Sequence, residues 1–141
     1  MFELHPQLQR DCLEIGRFEL CRLLLMNEKR YPWFILVPER EGLSEIYQLT
    51  DADQYRLIAE SSSLARGLVA AFSGDKLNIA ALGNLVPQLH IHHVVRFRHD
   101  PAWPAPVWGK FSPLAYDDAG LAEVVARLQA VLPDVFLGSL A

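Results

Sequence analysis

Apolar and polar residues fall into blocks along this chain, and the period changes from block to block. Between residues 18 and 38 two apolar runs, "LCRLLLM" and "WFILVP", flank "NEKRYP", where Asn27 and Pro32 supply turn chemistry. Short apolar runs with such a break predict a pair of adjacent, antiparallel strands. The unbroken run 33–37 has no polar face, so that strand belongs inside the sheet. Beyond "PEREG" and "LSEIYQL" the period lengthens: Leu57, Leu64, Leu68 and Phe72, with Ile58, Ala65 and Val69 beside them, make one helical stripe. Thr50 is placed to N-cap this helix, Asp51 and Asp53 suit the positive end of its dipole, and Gly74 is placed to C-cap it.

"KLNIAAL" then predicts a short strand. After the turn signals Gly83 and Asn84 a longer strand is expected, from about Val86 to Phe97. The four prolines of "HDPAWPAPVWGKFSP" forbid regular structure there, while its two tryptophans argue for anchoring rather than disorder. Leu121, Val124, Val125, Leu128, Val131 and Leu132 recur at helical spacing until Pro133. The order of strands, helix, strands, helix with short connections is α+β: a mainly antiparallel sheet of about five strands with two main helices. No repeat or low-complexity tract interrupts it. One domain is expected over residues 1–141, with a core of about 12–110 and a C-terminal helix of about 117–132.

Composition narrows the function classes. At 141 residues the chain can bury a core without staples, and 51% hydrophobic with 21% charged residues is ordinary for a globular domain. A net charge of −4 gives no basic surface for nucleic acid. Cys12 and Cys21 are too few for a disulfide framework and not in a metal-binding pattern, which suits reduced thiols. No basic start with an apolar run opens the chain, and no stretch approaches a membrane span. The expectation is a cytoplasmic protein without membrane contact.

The candidate chemistry lies in "QLHIHHVVRFR". Three of the five histidines fall here, but strand alternation separates them. Gln88, His90 and His92 share one face, with steps of about 6.5–7 Å, and His93 turns to the other. Three readings of the pair are open. It can be a His-x-His metal site, although "VVRFR" follows with two arginines and no acid to complete one. It can be a nucleophilic pair, since neutral imidazole attacks phosphorus and leaves a phosphoramidate that water can break. It can also be two polar side chains on a solvated strand face. For His93 the plain reading is a buried histidine with a backbone or water partner.

The motif resembles that of the histidine triad (HIT) superfamily of nucleotide hydrolases and transferases, His-φ-His-φ-His-φ-φ with φ apolar. "QLHIHHV" is similar to it with Gln88 at the first histidine position, His90 at the second and His92 at the third. "LLLMNEKRYPWFILVP", "LNIAALGNLVPQLHIH" and "DPAWPAPVWG" extend the likeness from about Cys21 to Gly109, towards a bacterial branch in which Gln commonly stands first.

The resemblance implies a HIT-like fold and a homodimer. It implies that His90 attacks the α-phosphate of a nucleotide while His92 hydrogen-bonds a non-bridging oxygen or helps the leaving group. Gln88 can donate a hydrogen bond but carries no proton at neutral pH. Asn78, Gly83 and Asn84 take the positions of phosphate donors, with a capping role at a strand edge open for Asn78. Leu25, with Asn27 or Glu28, takes the positions of the base and ribose residues. Trp33 replaces a further histidine of some relatives, as a core aromatic or a pocket wall. Trp103 and Trp108 either pin an irregular segment or shape substrate choice across a dimer interface.

The expected activity is hydrolysis through a nucleotidyl-histidine to a nucleoside monophosphate such as AMP. Its substrate would be a dinucleoside polyphosphate, a nucleoside phosphoramidate or another adenylated small molecule. No cofactor or metal is required of the protein, although Mg²⁺ can arrive on the phosphates. A nucleotide-binding module with weak catalysis and a His-x-His metalloenzyme are the alternatives.

Overall fold

The computed structural model describes residues 1–136; the last five residues of the expected domain lie outside the described residues. Five strands form one antiparallel sheet: β1 (Cys12–Arg17), β2 (Cys21–Met26), β3 (Trp33–Pro38), β4 (Lys76–Ala80) and β5 (Ile91–Arg96), in the spatial order β1-β2-β3-β5-β4. The helices are α1 (Pro6–Asp11), α2 (Asp51–Phe72) and α3 (Asp118–Gln129). This is the α+β architecture the apolar blocks predict, with α1 and β1 added at the start.

β3 is buried along its whole length, as its unbroken apolar run requires. Each face of the sheet carries its own core. Leu23, Leu25, Phe34 and Leu36 pack with Leu57, Leu64 and Leu68 of α2 and with Leu128 of α3. Leu24, Trp33, Ile35 and Val94 point the other way and meet Leu4 and Leu8 of the N-terminal segment together with Val107. That second side is thinly covered, and it is where a cavity can form.

Thr50 caps α2 by accepting from the Asp53 backbone N–H at 3.1 Å. Its stripe is narrower than the sequence pattern implies, since Ile58 and Val69 are exposed. Val131, expected on the core side of the last helix, is likewise half-exposed beyond the end of α3. The left-handed residue ending α2 is Ser73, at φ 52°, and not Gly74. Gly74 serves packing: a Cβ there would lie 2.3 Å from Val95 Cγ1 and 3.0 Å from the Arg96 carbonyl oxygen. Glu60 of α2 ties helix to sheet, its buried carboxylate accepting from the backbone N–H groups of Leu20 and Cys21 at 2.8 and 2.9 Å. Among the described residues no helix is long and apolar enough to cross a membrane.

Candidate active site

β5 is shorter than the sequence pattern predicts. Residues 86–90 are irregular and His90 precedes the first paired residue, yet its ring stays with that of His92, centroids 4.8 Å apart. Register separates the neighbouring side chains: His92 stands opposite Ile35 on the cavity face, and His93 opposite Phe34 on the helix face. His93 is fully buried there. Its Nδ1–H donates to the Ile91 carbonyl at 3.1 Å and its Nε2 accepts from the Ser61 hydroxyl at 2.7 Å, so it is a satisfied core histidine.

His90 and His92 line a cavity of about 460 Å³ together with Trp33, Glu28, Gly83, Asn84 and Trp108. Their hydrogen bonds fix opposite tautomers. His90 Nδ1 lies 2.7 Å from the Gln88 carbonyl, which can only accept, so Nδ1 carries the proton and Nε2 keeps its lone pair. The Trp33 indole N–H can only donate, and it reaches His92 Nδ1 at 3.0 Å. His92 therefore carries its proton on Nε2 and presents a donor. Burial depresses the pKa of both rings: that of His90 falls despite its bond to the Gln88 carbonyl, helped by nearby His5, and that of His92 falls to about 3, reinforced by the neighbouring histidines. Both are neutral at pH 7, His90 with a free Nε2 lone pair and His92 with an Nε2–H donor.

The irregular start of the histidine segment is tied to the N-terminal segment before α1. Gln88 turns its side chain away from the cavity, accepting from the His5 N–H at 2.9 Å and donating to the Glu3 carbonyl at 2.8 Å. It clamps the N-terminal segment that delivers Leu8 and Asp11 to the cavity wall.

The family model for the HIT domain matches residues 7–99. The chain belongs to the HIT family. It is similar to a histidine triad protein from Marinobacter aquaeolei VT8, with 52% identity over 94% of this chain and 97% of that one and a TM-score of 0.91. A histidine triad (HIT) protein from Sinorhizobium meliloti 1021 is 42% identical over 92% of this chain and 96% of that one, with a TM-score of 0.90. One from Bradyrhizobium japonicum is 43% identical over the same shares, at 0.89. No curated protein matches the chain.

Within this HIT domain four residues expected at the site stand elsewhere. Asn78, on β4, accepts from the Arg96 guanidinium at 2.8 Å, so it braces a strand pair and does not line the cavity. Leu25 is fully buried on the helix face, because strand alternation sends it away from His90 and His92. Asn27 accepts from the Tyr116 N–H at 3.0 Å, outside the cavity. Gln88 occupies the first motif position but offers the cavity no side-chain group.

Glu28 is the residue of the Asn27 and Glu28 pair that reaches the cavity; its carboxylate accepts from Arg30 at 2.7 Å and from the Leu114 N–H at 2.5 Å. Gly83, at φ 79°, and Asn84 line the cavity. Trp103 sits away from the site against the Arg96 guanidinium, whereas Trp108 lies in its own chain's cavity, 5.4 Å from the His92 ring, without needing a partner subunit to bring it there. Asp11, Cys12, Met26 and Tyr31 also line the cavity, and sequence reasoning missed them. Only the apolar alternation of "LLLM" could have marked Met26; nothing local marks the others. Cys12 is an inert wall, its thiol pushed up to about 12, chiefly by burial. Among the described residues no three His, Cys, Asp or Glu side chains come together as a metal site.

Proposed function

We propose that this HIT protein is a nucleotide hydrolase working through a nucleotidyl-histidine. His90 Nε2 attacks the α-phosphorus, the bond to the leaving group breaks, and water then cleaves the phosphorus–nitrogen bond to release a nucleoside monophosphate such as AMP. His92 Nε2–H hydrogen-bonds a phosphate oxygen as charge builds on it, with backbone N–H groups of the Gly83–Asn84 turn beside it. Glu28 is the candidate to accept from the ribose hydroxyls. The observation carrying this reading is the pair of opposite tautomers in one cavity, which gives each ring one role and no competition for the other.

The test is to quench the protein during turnover of an adenylated substrate and map the acid-labile adduct. It is expected on His90, absent in His90→Ala and slowed in Gln88→Ala. An adduct on another residue overturns the assignment. The withdrawal of Gln88 from the cavity favours one alternative, a nucleotide-binding module with little turnover; tight AMP binding with no AMP release from any adenylated substrate would select it. A homodimer in the cytoplasm belongs to the proposal too. The exposed Tyr55, Ile58 and Val69 of α2 and the half-exposed Ile79 on edge strand β4 support self-association, which sedimentation would read.

A further inference from the structure

Between Trp108 and α3 the chain forms an exposed strap beside the cavity. Gly109, Phe111 and Pro113 line the cavity, yet every residue from 109 to 115 is exposed. The ends of the strap are anchored, Trp108 against one core and Tyr116 against the other. Its middle buries no large apolar side chain, since Phe111 and Leu114 are 44% and 43% exposed. Hydrophobic burial therefore does not hold the strap in place, and such segments sit at the low end of local stability. At its start Gly109 has φ 76°, and a Cβ there would meet nothing within 4 Å, so the glycine serves the backbone turn and not packing.

What holds the strap is polar, and it comes from residues 27–30. Asn27 Oδ1 accepts from the Tyr116 N–H at 3.0 Å, Glu28 Oε2 accepts from the Leu114 N–H at 2.5 Å, and the Lys29 N–H donates to the Leu114 carbonyl at 2.8 Å. Arg30 closes the row. Its Nη1 donates to the Ser112 carbonyl at 2.9 Å and to Glu28 Oε1 at 2.7 Å, and its guanidinium lies over the Phe111 ring at 4.9 Å. Arg30 thus grips the strap and Glu28 at once.

Glu28 joins this latch to the ligand side. Its side chain is 4% exposed and that of Arg30 25%, so salt screens the pair little. Each carboxylate oxygen has taken one donor and keeps a second acceptor position. Ribose hydroxyls can therefore add to Glu28 without displacing Arg30 or the strap.

We propose that Arg30 is a positioning residue that couples the strap to nucleotide binding. This rests on the reading of Glu28 as the acceptor for the ribose hydroxyls. Arg30 does not line the cavity; it acts through the Glu28 carboxylate and the strap backbone. The coupling is reciprocal: a nucleotide on Glu28 steadies the strap, and a steadied strap tightens the nucleotide. The step at His90 lies outside this coupling.

The experiment compares wild type, Arg30→Gln and Arg30→Lys by AMP calorimetry, amide hydrogen exchange, and the rate of His90 adduct formation at saturating adenosine phosphoramidate. In the wild type AMP should slow exchange of the Leu114 and Tyr116 amides. Arg30→Gln should speed exchange of both without AMP and weaken AMP binding by about tenfold, a usual size for coupled sites. Its adduct rate should stay within about twofold of wild type, the mark of lost binding rather than lost chemistry. Arg30→Lys keeps a charge for Glu28 but gives up the guanidinium fork, and should fall between the two. Leu114→Pro removes the strap's N–H from Glu28 without touching Arg30 and should weaken AMP in the same direction, which decides the matter if Arg30→Gln does not fold. Combined with Arg30→Gln, it should cost less than the product of the single effects, because both act on one carboxylate. Wild-type AMP affinity in Arg30→Gln, amides that AMP does not slow, or a collapsed adduct rate at unchanged affinity overturns this inference and leaves the nucleotide reading standing. Coupled AMP binding without any adduct supports the inference and overturns nucleotidyl transfer. Absence of AMP binding to the wild type overturns both.

Discussion

At the scale of single residues, the site depends on which nitrogen of each imidazole holds a proton, and each is decided by one neighbour. Trp33→Phe keeps an aromatic ring but removes the donor to His92 Nδ1. Losing one hydrogen bond of this kind costs about 1 kcal/mol, so kcat should fall about five- to tenfold with KM little changed. Nitrogen-15 NMR should show the Nδ1–H tautomer of His92 appearing in the variant; an unchanged tautomer would deny Trp33 its positioning role. On the other face, Ser61→Ala leaves His93 Nε2 unpaired in the core, and chemical denaturation should register a loss of about 1–3 kcal/mol. The motif made His90 and His92 legible as a pair, and alternation made His93 legible as the odd member. Their tautomers were not legible, because the partners are a tryptophan on β3 and a backbone carbonyl.

At the scale of elements, the ends of α2 show how local signals and packing divide the work. The N-cap was readable because Thr50 acts on its own first turn. The C-terminal end was not, since Gly74 looks like a cap but is held small by the approach of β5. Ser73 occupies the left-handed conformation instead, so Ser73→Gly should raise stability by about 0.5–1 kcal/mol. Gly74→Ala should lower it by about 1–3 kcal/mol through overpacking against Val95 and Arg96. Paired thermal and urea unfolding of the two variants, with shifts of opposite sign, checks the assignment; a destabilised Ser73→Gly would refute it.

At the scale of the whole molecule, the N-terminal segment and the buried histidines set the behaviour. Gln88 ties residues 3 and 5 to the segment before β5, and α1, which follows them, delivers Leu8 and Asp11 to the cavity. Gln88→Ala should therefore raise KM and speed amide exchange in α1 more than it lowers kcat. A variant with unchanged exchange but collapsed kcat would return Gln88 to the phosphate. Burial holds the pKa of His93 at about 4 and that of His92 at about 3, below the ordinary 6.5 of the unfolded chain. The unfolded state thus binds protons first as pH falls, and stability should drop from about pH 6.5 down to about 4 through His93 and on to about 3 through His92. His93 alone accounts for roughly 3 kcal/mol of that loss. His93→Gln should flatten this slope in urea titrations at stepped pH, and an unaltered slope would place the acid sensitivity elsewhere. By itself the sequence determined the α+β layout, the buried central strand, the helix start at Thr50 and the histidine pair, because each follows from the period of apolar residues or from contacts within a few positions. Only the tertiary structure decided that Asn78, Leu25, Asn27 and Gln88 leave the cavity while Asp11, Met26 and Tyr31 enter it, because strand register and long-range hydrogen bonds choose which face and which partner a side chain meets.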